Sequence, residues 1–325
     1  MTKASTSSSQ PATYDLNKRA SRNLTETAIA IFLFACTSIS VLTTIGIIYV
    51  LSEETIKFFG NVSIGEFLFG VTKEINGVLQ HVCIWTPQFE DKNFCVWPTV
   101  SGTVLVALIA MVVATPVGLA TAVYLSEYAS PKLSGILRPL VELLAGVPTV
   151  VYGYFALLFV TPILKVIIPG GVQGFNALSA GLVMGVMVVP TIASISADAM
   201  RSVPNSLREA AYGLGCTKQE VSTKVVFPAA LSGVIAAVML GVSRAVGETM
   251  IVVIAAGQKP VLNFDPRQTI GTMTAYITQV TKGDARYGSV EYEALFAVGM
   301  TLFLITLTLN IISRQISSRF RETYD

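Results

Sequence analysis

Arg208-Glu209-Ala210-Ala211-Tyr212-Gly213-Leu214-Gly215, with Pro228 thirteen residues further on, forms a polar island between two long apolar runs. Its punctuation predicts two short helices. Asn205 or Ser202 is placed to cap the first, which runs through Arg208 and Ala211. Gly215 is placed to end it, because glycine accepts the left-handed conformation just past a helix. Thr217-Lys218-Gln219-Glu220 then has capping-box spacing, a hydroxyl at the N-cap and a carboxylate three residues on, ahead of the apolar Val221, Val225 and Val226. Pro228 suits the first turn of the next helix, where its missing N–H has no partner to lose. The small Ala210, Ala211 and Gly215 let another protein's surface come close, so the island reads as a docking surface.

The rest of the chain says what the island sits in. Of 325 residues, 52% are hydrophobic and 13% charged, about half the charged fraction of an ordinary soluble domain. Runs long enough to span a bilayer, which takes about 20 residues, lie near 27–51, 99–125, 139–168, 176–197, 229–256 and 294–313. They predict an all-α polytopic membrane protein with six transmembrane helices. Thirteen Lys and Arg fall in the two tails, the second loop and the 200–228 loop, against eight in the opposite loops. The positive-inside rule therefore puts both termini and the island in the cytoplasm. Residues 1–26, rich in Ser, Thr and Ala, read as a disordered cytoplasmic tail. Residues 27–315 read as the transmembrane domain, with an external loop at 52–98, and 316–325 as a C-terminal cytoplasmic tail. The first apolar run has no suitably placed cleavage site and is read as a retained helix.

Pro116, Pro148 and Pro190 each remove an interior backbone bond and are expected to kink their helices. Gly118, Gly146, Gly153 and Gly185 allow close packing or small rearrangements there, and Thr149 and Tyr152 are read mainly as packing residues, with hydroxyls offered to a polar path as the alternative. Glu142 and Asp198 lie where charged side chains reach water at helix ends. Cys36 and Cys216 are expected as free thiols. In the external loop, Cys83-Ile84-Trp85 and Cys95-Val96-Trp97 repeat one pattern, and in extended chain each Cys shares a face with its Trp. A disulfide-closed hairpin worth about 3 kcal/mol fits an oxidising compartment; two free thiols are the alternative.

A second polar feature interrupts the fifth apolar run: Gly241-Val242-Ser243-Arg244-Ala245-Val246-Gly247-Glu248-Thr249-Met250. An arginine near the middle of a span costs roughly 2.5–3.5 kcal/mol on insertion scales. Glu248, four residues on, is expected on the same helix face and able to pair with it, with Gly241 and Gly247 leaving room. Two readings stay open. The pair is either a structural fastening or the polar part of a water-filled path, with Arg244 attracting a tetrahedral oxyanion, Glu248 orienting it, and Ser243 and Thr249 beside them. Catalytic chemistry is not indicated, because the chain has one histidine, His81, no Cys/His cluster of zinc spacing and no phosphate-binding G-x-x-x-x-G-K-[ST] loop.

Glu209-Ala210-Ala211, Gly215 and Val225-Val226-Phe227-Pro228 resemble the EAA loop of bacterial ABC importer permeases, E-A-A, three residues, G, nine residues, I-x-L-P, with Val for Ile and Phe for Leu. Ser243–Met250 resembles the (G/S)-R-A-x-G-E-T-M segment of phosphate-specific ABC permeases, and the long external loop looks like the PstC type of subunit rather than the PstA type. The likeness covers about residues 28–315 and is strongest from 99 to 256. It implies a type I ABC importer permease fold with cytoplasmic EAA coupling helices. It further implies that Arg208, Glu209, Ala210, Ala211, Gly215 and Pro228 couple to an ATPase, and that Arg244 and Glu248 act in transport. The implied partners are a PstA-type permease, a PstB-type ATPase dimer holding ATP and Mg, an external PstS-type phosphate-binding protein, phosphate and inner-membrane lipid. No cofactor or metal is expected on this chain and no nucleic acid among its partners. Sulfate, molybdate or another oxyanion is the alternative cargo, and an ion-coupled secondary transporter the alternative machine.

Overall fold

The computed structural model describes residues 19–75, 78–87 and 92–319. Residues 1–18 of the tail expected at 1–26, and 320–325 of the one expected at 316–325, lie outside them. The chain divides at Val50 into two units. Helix α1 (Arg19–Asn61) supplies the described part of the first, so helix begins earlier than the expected 27. Its threonines return their hydroxyls to the carbonyls four residues back, Thr37 to Leu33 at 2.9 Å and Thr43 to Ile39 at 2.8 Å. That suits polar side chains in an apolar helix, which find no water to bond.

The second unit, from Leu51, is mostly helical, with one hairpin and irregular stretches at 168–176 and 257–272. Its elements in order are the end of α1, α2 (Ile64–Phe69), β1 (Val71–Ile75), β2 (Val78–Val82), α3 (Trp97–Val123), α4 (Pro131–Gly146), α5 (Thr149–Phe155), α6 (Thr161–Ile167) and α7 (Ala177–Arg201). After these come α8 (Asn205–Gly213), α9 (Lys218–Glu220), α10 (Phe227–Ala229), α11 (Leu231–Val246), α12 (Met273–Gln279) and α13 (Val290–Arg319). Among the described residues five helices are long and apolar enough to cross a membrane: Glu26–Asn61, Trp97–Tyr128, Thr149–Ile167, Ala177–Arg201 and Val290–Arg319. A sixth is counted when Lys218–Ala229 and Leu231–Val246, bent by 73°, are taken together. The protein is thus a polytopic helical membrane protein.

The third span departs from the expected 139–168. Val147 and Pro148 are extended, with ψ of 128° and 134°, so Pro148 ends one helix and starts another instead of kinking a continuous one. The amphipathic α4 before the break is capped by Ser130, whose hydroxyl accepts the Leu133 N–H at 3.3 Å. Tyr152 bridges the break by donating its hydroxyl to the Leu144 carbonyl at 2.7 Å. Arg138 on α4 donates to Glu142 of the same helix at 3.1 Å and to Asp198 on α7 at 2.8 Å, so Asp198 fastens α4 to the end of α7.

The centre of the unit is α3 packed on α7. Lipid offers no hydrophobic drive between helices, so small residues that let backbones approach do the work. Gly181 and Gly185 stand four apart on α7: a Cβ at Gly181 would lie 2.7 Å from Ile109 Cβ, and one at Gly185 2.9 Å from the Ala110 carbonyl oxygen. Gly118 of α3 is pressed equally close by Ile192, and Gly153 by Ile254, whereas Gly146 faces open space. Gly181→Val is therefore expected to lower the thermal midpoint of the purified protein sharply and Gly146→Ala to leave it unchanged. Equal effects in a melting assay would contradict this packing.

The expected external loop is a folded cap. β1 and β2 pair antiparallel with Val71 opposite Val82, and beyond them Trp85 bridges Phe94. Cys83 and Cys95 are joined as a disulfide with Cα atoms 5.1 Å apart. The two Cys-Trp repeats are not equivalent. Trp85 is 2% exposed among Phe67, Phe94 and Tyr276, in edge-to-face contacts of 6.2, 6.2 and 4.9 Å. Trp97 is half exposed, because Val96 has turned helical and Trp97 opens α3, its indole N–H donating to the Leu68 carbonyl at 2.7 Å. Alkylation of denatured, unreduced protein is expected to spare Cys83 and Cys95 while labelling Cys36 and Cys216.

Candidate functional site

The fifth apolar run is a broken helix. α11 ends at Val246, Gly247 is its cap, and helix resumes at Met250 and runs through a π-helical turn to Ala256. The restart is capped by Glu248, whose Oε1 accepts the N–H groups of Met250 at 3.0 Å and Ile251 at 3.3 Å. Thr274 of α12 braces the gap by donating to the Glu248 carbonyl at 2.8 Å. The expectation that Arg244 and Glu248 pair on one helix face is therefore corrected, because the helix that would align them has ended. Each charge instead sits at the half-helix end whose dipole favours it, the guanidinium in a last turn and the carboxylate at a first.

Arg244 turns toward α7, where Nη1 donates to Thr191 Oγ1 at 2.8 Å. That is its one hydrogen bond among the described residues, so most of its five donors have no protein partner. Tyr152 lies within its electrostatic reach. Ser243, the adjacent residue, points the other way and donates to Asn310 of α13 at 3.2 Å. Thr249 donates to the local Gly247 carbonyl, at 3.4 Å. The structure thus brings Arg244 together with Thr191, which sequence spacing did not reveal, and separates it from Ser243 and Thr249. Gly241 makes no room for Arg244, since a Cβ there would stand 3.1 Å from Val188 and Ile192.

The polar island folds as two helices. α8 starts after Pro204 with no side-chain cap, and Ser202 donates to Ala199 instead, so neither expected cap is used. Its end is a Schellman motif: Gly215 has φ +83°, its N–H donates to the Tyr212 carbonyl at 2.9 Å, and the Cys216 N–H donates to Ala211 at 3.2 Å. The second helix begins with the capping box, Thr217 and Glu220 each accepting the other's backbone N–H. The Thr217 N–H, and after it the Lys224 ammonium, hold the Glu220 carboxyl down at about 2. A depressed carboxyl stabilises the cap at every pH above the ordinary carboxylate range and ceases to do so only as pH falls through the lowered value. Pro228 lies in the turn Phe227–Ala229, and the 73° bend falls just beyond it at Ala230, not at the proline.

Exposure separates the candidate coupling residues. Glu209, Ala210, Tyr212, Gly213, Leu214 and Gly215 face out, Leu214 at 87%, whereas Ala211 is buried. Arg208 faces inward too, which corrects its reading as part of the outer docking surface. Its Nε and Nη2 donate to the Glu127 carboxylate at 3.3 and 2.9 Å. Nη2 also donates to the Met200 carbonyl at 2.8 Å, and Nη1 to the Val203 carbonyl at 2.6 Å and Asn205 Oδ1 at 3.3 Å. All five guanidinium donors are used. Glu127 is 81 residues away in the chain, so no local spacing announced it.

Among the described residues no group of three or more His, Cys, Asp or Glu could hold a metal ion. Residues 114–322 match the family model described as binding-protein-dependent transport system inner membrane component. The chain is 34% identical over 306 residues to the probable ABC transporter permease protein YqgH of Bacillus subtilis, covering 94% of each. It is 33% identical over 256 residues to the phosphate transport system permease protein PstC of Mesorhizobium japonicum, covering 72% of this chain and 76% of that one. For the Haemophilus influenzae PstC the identity is 30% over 290 residues, with coverage of 84% and 85%. Its fold is similar to that of a chain of a bacterial alginate ABC transporter, with a TM-score of 0.60, 13% identity, and 93% of this chain and 99% of that one covered. The MetNI methionine ABC transporter gives a TM-score of 0.51 at 19% identity, with 70% and 94% covered. On the match over residues 114–322 and the relatives of PstC type, this chain belongs to the family of binding-protein-dependent transport system inner membrane components, as a PstC-type ABC permease.

Proposed function

We propose that this chain is the PstC-type permease subunit of an ATP-driven phosphate importer. It shares the translocation path with a second, PstA-type permease, receives phosphate from an external PstS-type binding protein, and is driven by a cytoplasmic PstB-type ATPase dimer that holds ATP and Mg. The observation that carries this reading is Arg244. A guanidinium with one donor fixed by Thr191 and the others uncommitted among the described residues, at the break in a transmembrane helix, has the chemistry to receive two oxygens of a tetrahedral anion. Placing Glu248 at the opposing half-helix keeps the site from being a bare cation, and an anion held too tightly would not leave. The excess of Lys and Arg supports a cytoplasmic position for both termini and for the exposed face of α8. That face, Glu209, Ala210, Tyr212, Leu214 and Gly215, suits insertion into a groove of the ATPase.

Competition for uptake tests the cargo. Cells making the complex are expected to take up labelled phosphate with little loss when sulfate or molybdate is in tenfold excess, roughly an equivalent of 1.4 kcal/mol of preference per decade. Equal inhibition by sulfate and by unlabelled phosphate would move the cargo assignment to another oxyanion.

A further inference from the structure

The two coupling helices meet the membrane bundle at one turn. Residues Tyr124–Tyr128, following α3, form a π-helical turn, a wider winding that re-aims the side chains at the end of a helix. Glu127 of this turn receives Arg208 of α8, and the pair is nearly buried, with side-chain exposures of 15% for Arg208 and 6% for Glu127. Tyr128 of the same turn lies beneath Lys218 at the start of the second coupling helix, the ammonium 5.0 Å from the ring centroid. Ser126 donates to the sulfur of Met200, at the end of α7, at 3.3 Å.

The covalent route is the weaker lever. Passing from α10 to α11, the chain turns through 73°, and such an elbow absorbs displacement instead of transmitting it along a helix. The second coupling helix also packs on the bundle through apolar side chains, Val221 and Val226 sharing one buried cluster with Ala122 of α3 and Leu125 of the turn, beside a groove of about 590 Å³ lined by Leu119, Val123, Tyr124, Tyr128, Ser222 and Phe227. The charged contacts of both coupling helices nonetheless converge on the turn, Arg208 on Glu127 and Lys218 on Tyr128. Arg208 adds α7 to the same joint through the Met200 and Val203 carbonyls.

We propose that the turn Tyr124–Tyr128 is where motion of the coupling loop enters the transmembrane bundle, with Glu127 as the positioning residue that receives it from Arg208 and Tyr128 as a second grip on Lys218. This rests on the reading of α8 as the ATPase-facing helix. A buried carboxylate whose partner moves is drawn along with it, because leaving either charge alone in the interior is costly.

The test uses the complete complex, reconstituted with its ATPase, second permease and external binding protein in proteoliposomes, reading ATP hydrolysis and labelled phosphate uptake together. Glu127→Gln is expected to lower phosphate moved per ATP hydrolysed by about tenfold while the ATPase still co-purifies. The exchange variant Glu127→Arg with Arg208→Glu is expected to recover most of that ratio, and Tyr128→Leu to lower it by about threefold. A wild-type ratio in Glu127→Gln, or an exchange variant that assembles but recovers nothing, overturns the proposal. Should Glu127→Gln fail to assemble, Tyr128→Leu decides, and an unchanged ratio there overturns it. If wild-type complex shows no ATP-dependent uptake, the parent reading falls; if wild type is coupled and Glu127→Gln matches it, the joint alone falls.

Discussion

Arg244→Gln is expected to lower ATP-driven phosphate uptake by about a hundredfold, a loss of about 2.7 kcal/mol in barrier terms, with expression and assembly unchanged. The size follows from the donors. Arg244 gives one N–H to Thr191, and two charge-assisted bonds to an anion, at about 1.5–3 kcal/mol each, would go with the guanidinium. Arg244→Lys keeps the charge but not the planar fork and is expected to lose about tenfold. Thr191→Val removes the orienting acceptor and is expected to lose about threefold, since the guanidinium then searches more rotamers. Glu248→Gln is expected to matter mainly by weakening a helix cap, because its carboxylate is bonded to the Met250 and Ile251 N–H groups rather than to Arg244. Uptake in membrane vesicles, corrected for protein present, separates these. Wild-type uptake in Arg244→Gln would remove the residue from the path and leave it a structural donor to Thr191.

The second large effect is expected at the outer face of α8. Leu214→Asp and Glu209→Lys are predicted to abolish co-purification of the ATPase while the permease keeps its melting temperature. Leu214 is 87% exposed and Tyr212 45%, and exposed apolar side chains grouped on one small helix are the kind that anchor an interface. Burying an aspartate in their place costs on the order of 2–4 kcal/mol of binding, enough to lose the complex during purification. Arg208→Gln should behave differently, because that side chain is already saturated by Glu127, Asn205 and two carbonyls. It is expected to lower stability before it lowers ATPase affinity. Identical behaviour of Leu214→Asp and Arg208→Gln in both assays would erase the distinction between the outer and inner faces of the loop.

Several contiguous signals in the chain are legible, although the caps expected for α8 at Asn205 or Ser202 are not used, whereas most juxtapositions across the fold are not legible. The capping box at Thr217 and Glu220 and the left-handed Gly215 depend on neighbours within four residues, and both are present. Apolar runs located the spans because length and hydropathy are properties of a segment. Breaks were underestimated: a run of apolar residues looks the same whether Pro148 bends a helix or ends it, and whether Gly247 packs or terminates. The Arg244–Glu248 pairing assumed four helical residues between them, and the cap at Gly247 removed that premise. Glu127 and Thr191, which hold Arg208 and Arg244, lie 81 and 53 residues from them, so only the packing of α3 and α7 beside α8 and α11 reveals them. The two arginines looked alike in sequence, as polar residues flanked by apolar runs. Their donors distinguish them, one guanidinium fully engaged and the other mostly free.

Accumulation of labelled phosphate in proteoliposomes holding the purified complex measures ATP-driven phosphate import directly. Accumulation is expected only with the external binding protein and hydrolysable ATP on the cytoplasmic side, and is expected to persist when an ionophore collapses the proton gradient. Accumulation that needs the proton gradient and proceeds without the ATPase would rule out ATP-driven import and make this chain an ion-coupled carrier.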